Sequence, residues 1–140
     1  YVCVRSWLLP SLMKVLSANK HVEYPQNIFE VGDVVWIDNG EETMTKTIRK
    51  VSGAVCSSKT GFAEIKSIVD SLMKNLNINY KLEPCPHAGY TKGRGAHVFY
   101  NVKLLGSFVE VNPQTLENWQ IEMPVASFEL NVENLLDSAK

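Results

Sequence analysis

The sequence predicts an α+β domain built on an antiparallel sheet, and three observations carry that expectation. Two pairs of apolar runs, 28–37 with 48–56 and 93–100 with 104–111, are each joined by a short polar stretch, which is the pattern of a hairpin. Residues 62–76 repeat apolar side chains at three- and four-residue intervals, the pattern of a helix with one buried face. The helical segments are interspersed after hairpins instead of alternating with single strands, which favours antiparallel pairing over parallel crossover units. With 140 residues, 45% of them hydrophobic and 21% charged, the chain suits one globular domain over 1–140 with a sizeable core.

Taken in order, residues 1–5 are a brief apolar entry, and Pro10 opens a helix in which Leu9, Leu12, Met13 and Leu16 share one face. Its polar side is thin, so it should pack on the sheet. Residues 19–26 form a polar connector with Pro25 as breaker. Residues 28–37 are apolar at both parities, which predicts a strand covered on both faces, although Glu30 and Asp33 interrupt it. Residues 38–46 form a loop with turn chemistry at Asn39-Gly40, and 48–56 the returning strand. In the helix over 62–76, Phe62, Ile65, Ile68, Val69, Leu72, Met73 and Leu76 make the apolar face, and Asp70 sits four residues before Lys74 as a favourable pair. Residues 77–82 read as a short strand and 83–94 as a loop leading to the second hairpin, whose turn lies at 101–103. Asn112 is placed to cap a helix with Pro113 at its first position, where a missing N–H costs nothing. Residues 121–124 break that helix, 125–130 form a strand and 132–136 begin a final helix. No repeat, low-complexity segment or linker interrupts the chain.

Charge and cysteine usage narrow the function classes. Fourteen basic against 15 acidic residues leave a net charge of -1, without the electrostatic footprint of an autonomous nucleic-acid binder. Cys3, Cys56 and Cys85 are odd in number, widely spaced and without a Cys-x-x-Cys pair, which reads as reduced thiols in a cytoplasmic protein. No apolar run approaches the ~20 residues that a bilayer span needs. Cys85, His87 and His97 are conceivable metal ligands, but no second pair stands at zinc spacing and Pro84 and Pro86 stiffen the loop, so a loop histidine and a half-buried cysteine are the simpler reading. Lys92 and Arg94, with Tyr90 close by, sit among Gly93 and Gly95 and are candidates for touching RNA phosphate or a partner's carboxylates. A solvated glycine loop is the plainer alternative. Arg5 is expected to pair internally with an acid such as Glu30.

Gly-Arg-Gly-Ala-His at 93–97, Leu-Gly-Ser-Phe-Val-Glu-Val-Asn-Pro-Gln-Thr-Leu-Glu-Asn-Trp at 105–119 and Met-Pro-Val-Ala-Ser-Phe-Glu-Leu at 123–130 together resemble the C-terminal part of the β subunit of phenylalanyl-tRNA synthetase, archaeal type. Val-Arg-Ser-Trp-Leu-Leu-Pro-Ser-Leu at 4–12, Ile-Phe-Glu-Val-Gly-Asp-Val at 28–34 and Phe-Ala-Glu-Ile-Lys-Ser-Ile-Val at 62–69 have the same family character, so the resemblance runs along nearly the whole chain in one order. It implies a class II aminoacyl-tRNA synthetase catalytic-like fold, an antiparallel sheet flanked by helices. The expected domain is truncated at the N-terminal side, because the family's fold begins with a dimerisation helix and strand that do not precede Tyr1 here.

The resemblance also says where the chemistry would sit. Class II enzymes place an Arg two residues before an acid on the first strand of the long hairpin, where the guanidinium grips the α-phosphate of ATP. Trp36 and Asp38 align there. An acid expected on the returning strand falls on Ser52, glycines of the third motif fall on Glu129 and Asn131, and its Arg falls on Asn134. Lys46, Arg49 and Lys50 remain near the site as point charges, and Val109 and Val111 narrow it where the family commonly has a glycine. A packing or surface role for Trp36, Ser52 and Asn134 is therefore preferred to a catalytic one, and no residue is assigned to catalysis, cofactor binding or metal binding.

The expected function is that of a non-catalytic structural and interaction module of the β subunit. The complete enzyme implied by the resemblance is an α2β2 tetramer that joins phenylalanine to tRNA(Phe) using ATP and magnesium, with the α subunit performing the reaction. Without the earlier edge of the sheet, the isolated chain should form a homo-oligomer through uncovered apolar surface. The rivals are a free-standing paralogue that adenylates a small acid, opposed by the absent phosphate-binding arginines, and a free-standing RNA-binding domain, opposed by the charge balance.

Overall fold

A computed structural model describes residues 8–37, 45–84 and 90–139. The elements follow as α1 (Leu9–Ala18), β1 (Gln26–Ile37), β2 (Thr45–Cys56), α2 (Phe62–Asn75), β3 (Lys81–Pro84), β4 (Tyr90–Tyr100), β5 (Lys103–Val111), α3 (Pro113–Asn118), β6 (Val125–Asn131) and α4 (Val132–Ser138). The strands form one six-stranded sheet in the order β1-β2-β6-β5-β4-β3, and every neighbouring pair is antiparallel. None of the described helices is long and apolar enough to cross a membrane.

Two cores lie on opposite faces of this sheet. Ile65, Val69 and Met73 of α2 and Leu135 of α4 pack with Val55, Val98, Phe108, Ala126, Phe128 and Leu130 on one face. Leu9, Leu12, Met13 and Leu16 of α1 pack with Ala54, Cys56, Val111, Ile121 and Val125 on the other. Strand β6 is buried on both faces, because alternate residues of a central strand serve the two cores in turn.

Two helices stop by the same device. Ile78 N–H bonds the Met73 carbonyl at 2.9 Å and Asn77 N–H the Lys74 carbonyl at 3.1 Å, with Asn77 at φ 58°. Ile121 N–H likewise bonds the Leu116 carbonyl at 2.9 Å and Gln120 N–H the Glu117 carbonyl at 2.9 Å, with Gln120 at φ 59°. Each is a Schellman closure in which a left-handed residue turns the chain, and the apolar residue beyond it shares a core with the residue whose carbonyl it caps. At the other end of α3, Asn112 Oδ1 accepts from Gln114 N–H at 2.7 Å, the cap expected of it. The expected pair of Asp70 with Lys74 forms at 3.2 Å.

Four expectations are corrected here. The short strand expected over 77–82 is Lys81–Pro84, because Asn77 terminates α2 in the left-handed region and cannot begin a ladder. The segment 90–94 belongs to strand β4 and is not loop, although the β4–β5 register shifts between Tyr90 and Gly95. Strand β1 is not covered on both faces. It is an edge strand, and Phe29 and Val31 are 77% and 56% exposed on the face they share with Gly53 and Val51. Ile68, placed with the apolar face of α2, is partly exposed and lies outside the core. The Asn39-Gly40 turn, Arg5 with its expected pairing to Glu30, Cys3, Cys85 and His87 lie outside the described residues.

Strand β5 approaches β6 closely at Gly106. A Cβ there would lie 2.1 Å from the Glu129 carbonyl oxygen and 2.7 Å from Leu130 Cα, both backbone atoms that cannot move aside, and Gly106 has φ 158°. Gly106→Ala is expected to cost about 3 kcal/mol in urea denaturation. Gly61→Ala, where a Cβ meets nothing within 4 Å, should cost less than ~1 kcal/mol as a weaker N-cap.

Burial beneath α1 pushes the Cys56 thiol from 9.0 up to about 11. The unfolded chain then loses this proton first, so the contribution of Cys56 to stability is whole below the unfolded value and falls as pH rises from 9 towards 11. Alkylation at pH 8 should leave the Cys56 peptide unmodified in native protein and modify it fully in urea, read by mass spectrometry.

Candidate functional site

The registers of five strand pairs place six polar residues in one line across the sheet. Glu30 stands opposite Ser52, Ser52 opposite Glu129, Glu129 opposite Ser107, Ser107 opposite His97 and His97 opposite Glu83. Directly opposed residues share a face, so this row crosses all six strands on the face that α1 covers at one end. The neighbouring row, Ile28, Ala54, Ser127, Val109 and Gly95, begins the core beneath α1, to which Ala54 belongs.

The middle of the row is closed by its own contacts. Ser52 is fully buried, and its Oγ donates to the Phe128 carbonyl at 2.8 Å. Glu129 is the single acid in the apolar strand β6. Its Oε1 accepts from the N–H groups of Leu8 at 2.7 Å and Leu9 at 3.2 Å, and its Oε2 accepts from Lys50 Nζ at 3.1 Å. The side chains of Lys50 and Glu129 are only 14% and 10% exposed, so water hardly screens this ion pair.

The row opens towards β3. His97 is half-buried, its ring meets Phe99 edge-on with centroids 6.2 Å apart, and its buried Nδ1 has no hydrogen-bond partner. Ser107 stands beside His97, but the orphaned Nδ1 accepts nothing from it, so that nitrogen does not activate the hydroxyl as a nucleophile. Among the described residues no group of three or more His, Cys, Asp or Glu side chains gathers to hold a metal.

The structure places the remaining sequence-level candidates as follows. Asn131 caps α4, its Oδ1 accepting from Asn134 N–H at 3.0 Å, and Asn134 Nδ2 donates to the Leu104 carbonyl at 3.1 Å. Trp36 stands on β1 opposite Lys46, and Asp38 lies outside the described residues. Tyr90, Lys92 and Arg94 lie on β4, four strands away from β1 in the sheet order. Arg49 Nε donates to Asp33 Oδ1 at 3.1 Å on the exposed hairpin, while Lys50 turns inward to Glu129. Val109 and Val111 are buried. Ser52, Glu129 and Asn131 are thus neighbours in space, whereas Trp36 and the 90–94 segment stand towards opposite edges.

Sequence reasoning missed the structural part played by Glu129 and Lys50, and the membership of Ser107 and Glu83 in the row. One signal was present. A lone acid in Val-Ala-Ser-Phe-Glu-Leu has the parity of Val125 and Ser127, so it must enter a buried face and find donors there.

The fold has a close counterpart among solved structures. Pyrrolysyl-tRNA synthetase from Desulfitobacterium hafniense superposes with a TM-score of 0.78 over 96% of this chain and 49% of that one, at 17% identity. Among proteins of known name, the phenylalanine–tRNA ligase β subunit of Methanocaldococcus jannaschii is 42% identical over 130 residues, 93% of this chain and 24% of that protein. The corresponding subunit of Pyrococcus abyssi is 46% identical over 127 residues, 91% of this chain and 23% of that protein. The chain therefore spans about a quarter of the length of the relatives it matches. Residues 1–132 match the family model described as the phenylalanyl tRNA synthetase beta chain CLM domain, and the chain belongs to that family.

Proposed function

We propose that this chain is a non-catalytic structural and interaction module of a phenylalanine–tRNA ligase β subunit, a class II catalytic-like domain in its C-terminal part that works in the cytoplasm. The complete enzyme would join phenylalanine to tRNA(Phe), with the α subunit performing the reaction on ATP and magnesium and this domain supporting the α subunit and the tRNA. One observation carries the reading. Side chains at four of the positions aligned with nucleotide-binding groups are already bonded within the fold. Ser52 is bonded to the Phe128 carbonyl, Glu129 to Leu8, Leu9 and Lys50, Asn131 to the first turn of α4, and Asn134 to the Leu104 carbonyl.

These residues do not fit a triphosphate. Two carboxamides, a buried hydroxyl and a carboxylate already neutralised by Lys50 supply no bidentate cation for phosphate. The loss of one preorganised donor of this kind typically costs ~10²–10³ in rate, and several are missing together. Lys92, Arg94 and Tyr90 are the residues of this chain proposed to touch RNA or the partner subunit. The exposed Phe29 and Val31 on edge strand β1 support self-association of the isolated chain.

Calorimetric titration with ATP and magnesium should show no micromolar binding, and pyrophosphate exchange with phenylalanine should stay at background. Either signal above background would overturn the non-catalytic reading. Co-expressed with the α subunit of such an enzyme, the chain should co-purify as a complex. Light scattering of the chain alone should give a mass above 15.7 kDa, and a monomer at high concentration would remove the self-association.

A further inference from the structure

Helix α1 begins without a cap of its own. Leu8 at the N-cap makes no side-chain bond, and no acid stands in the first turn. The first-turn donors can nevertheless all be traced. Pro10 has none, Ser11 and Leu12 N–H bond the Leu8 carbonyl at 3.0 and 3.3 Å, and the N–H groups of Leu8 and Leu9 end on Glu129 Oε1. A carboxylate 120 residues away in sequence thus does the work of a cap, and it faces the positive end of the helix on one oxygen and Lys50 on the other. Ten residues are too few for a helix to persist unaided in water, so α1 exists only where it is fastened.

Three fastenings stand out among the described residues. Leu9, Leu12, Met13 and Leu16 lie on the sheet, Ser17 Oγ donates to the Trp119 carbonyl at 2.7 Å near the C-terminal end, and Glu129 holds the N-terminal end. Beneath the helix lie Cys56 and Val125, and beneath its first turn lies the closed middle of the polar row. We propose that α1 is a strap across this face, latched at its first turn by the Glu129–Lys50 pair, and that it opens as a local unit while the sheet stays folded. With the strap closed, Glu129 is occupied by the strap's own N–H groups. With it open, the Glu129 carboxylate and the Cys56 thiol become accessible. The latch is electrostatic, so its state depends on the charge of Glu129 and Lys50 and not on apolar contact alone.

The test is made on the full 140-residue chain with Glu129→Gln, which keeps shape and removes charge, and with Lys50→Met, which leaves the carboxylate but removes its counter-ion. Hydrogen exchange at Leu12, Met13 and Leu16 and iodoacetamide modification of Cys56 should both accelerate on the order of 10–100-fold in Glu129→Gln, the factor that loss of a charge-assisted hydrogen bond corresponds to. Lys50→Met should move both readouts in the same direction by less, while exchange at Val98, Phe108 and Leu130 in the sheet stays as in the parent. Unchanged α1 exchange and Cys56 reactivity in both variants would overturn the proposal. So would sheet amides accelerating in step with α1, or a Glu129→Gln chain that fails to fold, since each would make the carboxylate a support of the whole sheet and not the latch of a strap.

Discussion

The closeness of β6 to its neighbours is the constraint on which the rest depends. A strand with both faces buried gives up every solvent contact, and it is stable only where each neighbour fits it without a gap. Two glycines allow this. At Gly53 on β2 a Cβ would stand 2.5 Å from the ring of Phe128, which instead lies over bare backbone, and at Gly106 on β5 the backbone of β6 itself occupies the space. From that fit the two cores follow. Ala126, Phe128 and Leu130 point to α2 and α4, and Val125 with Ser127 and Glu129 points the other way.

The two faces have different chemistry because β6 carries its acid on one of them. On the side of α2 and α4 the packing is apolar throughout, and its strength is the ordinary one of burial. On the side of α1, a buried carboxylate has to be solvated by the protein, and Lys50 together with two helix N–H groups does so. That requirement ties the start of the described chain to a strand near its end. It also gives a physical reason why the positions proposed to align with nucleotide-binding groups cannot be read as vacant. Their polar atoms are bonded to the start of α1, to the backbone of β6 and to the first turn of α4.

How much was legible in the sequence depended on whether the signal was local. The hairpins, the Asn112 cap and the three- and four-residue period of α2 are encoded by residues near in sequence, and the structure has them within three residues of the expected bounds. Asn77 was misleading because a left-handed asparagine that ends a helix and a polar residue that begins a strand look alike until the apolar residue beyond it is seen to return to Met73. Strand β1 was misleading for another reason. Apolar residues at both parities signal burial on both faces only if both faces are covered, and sheet order, a property of the whole chain, puts β1 at an edge. The polar row was not legible at all, since its six members are spread from residue 30 to residue 129 and only the five registers bring them into line.

The same distinction bears on function. Motif alignment asks which residue type stands at a position, and by that measure Glu129 and Asn131 are only absences of glycine. The structure asks what the side chain bonds, and both then have definite work, one as counter-charge to Lys50 and the start of α1, the other as cap of α4. A fold that once closes its polar atoms on one another gains rigidity, because a half-satisfied buried network costs more than a satisfied one. Reopening it for a ligand would require new partners for Leu8, Leu9 and Lys50 at the same time. That coupled requirement is what any ligand entering the middle of the polar row would have to meet.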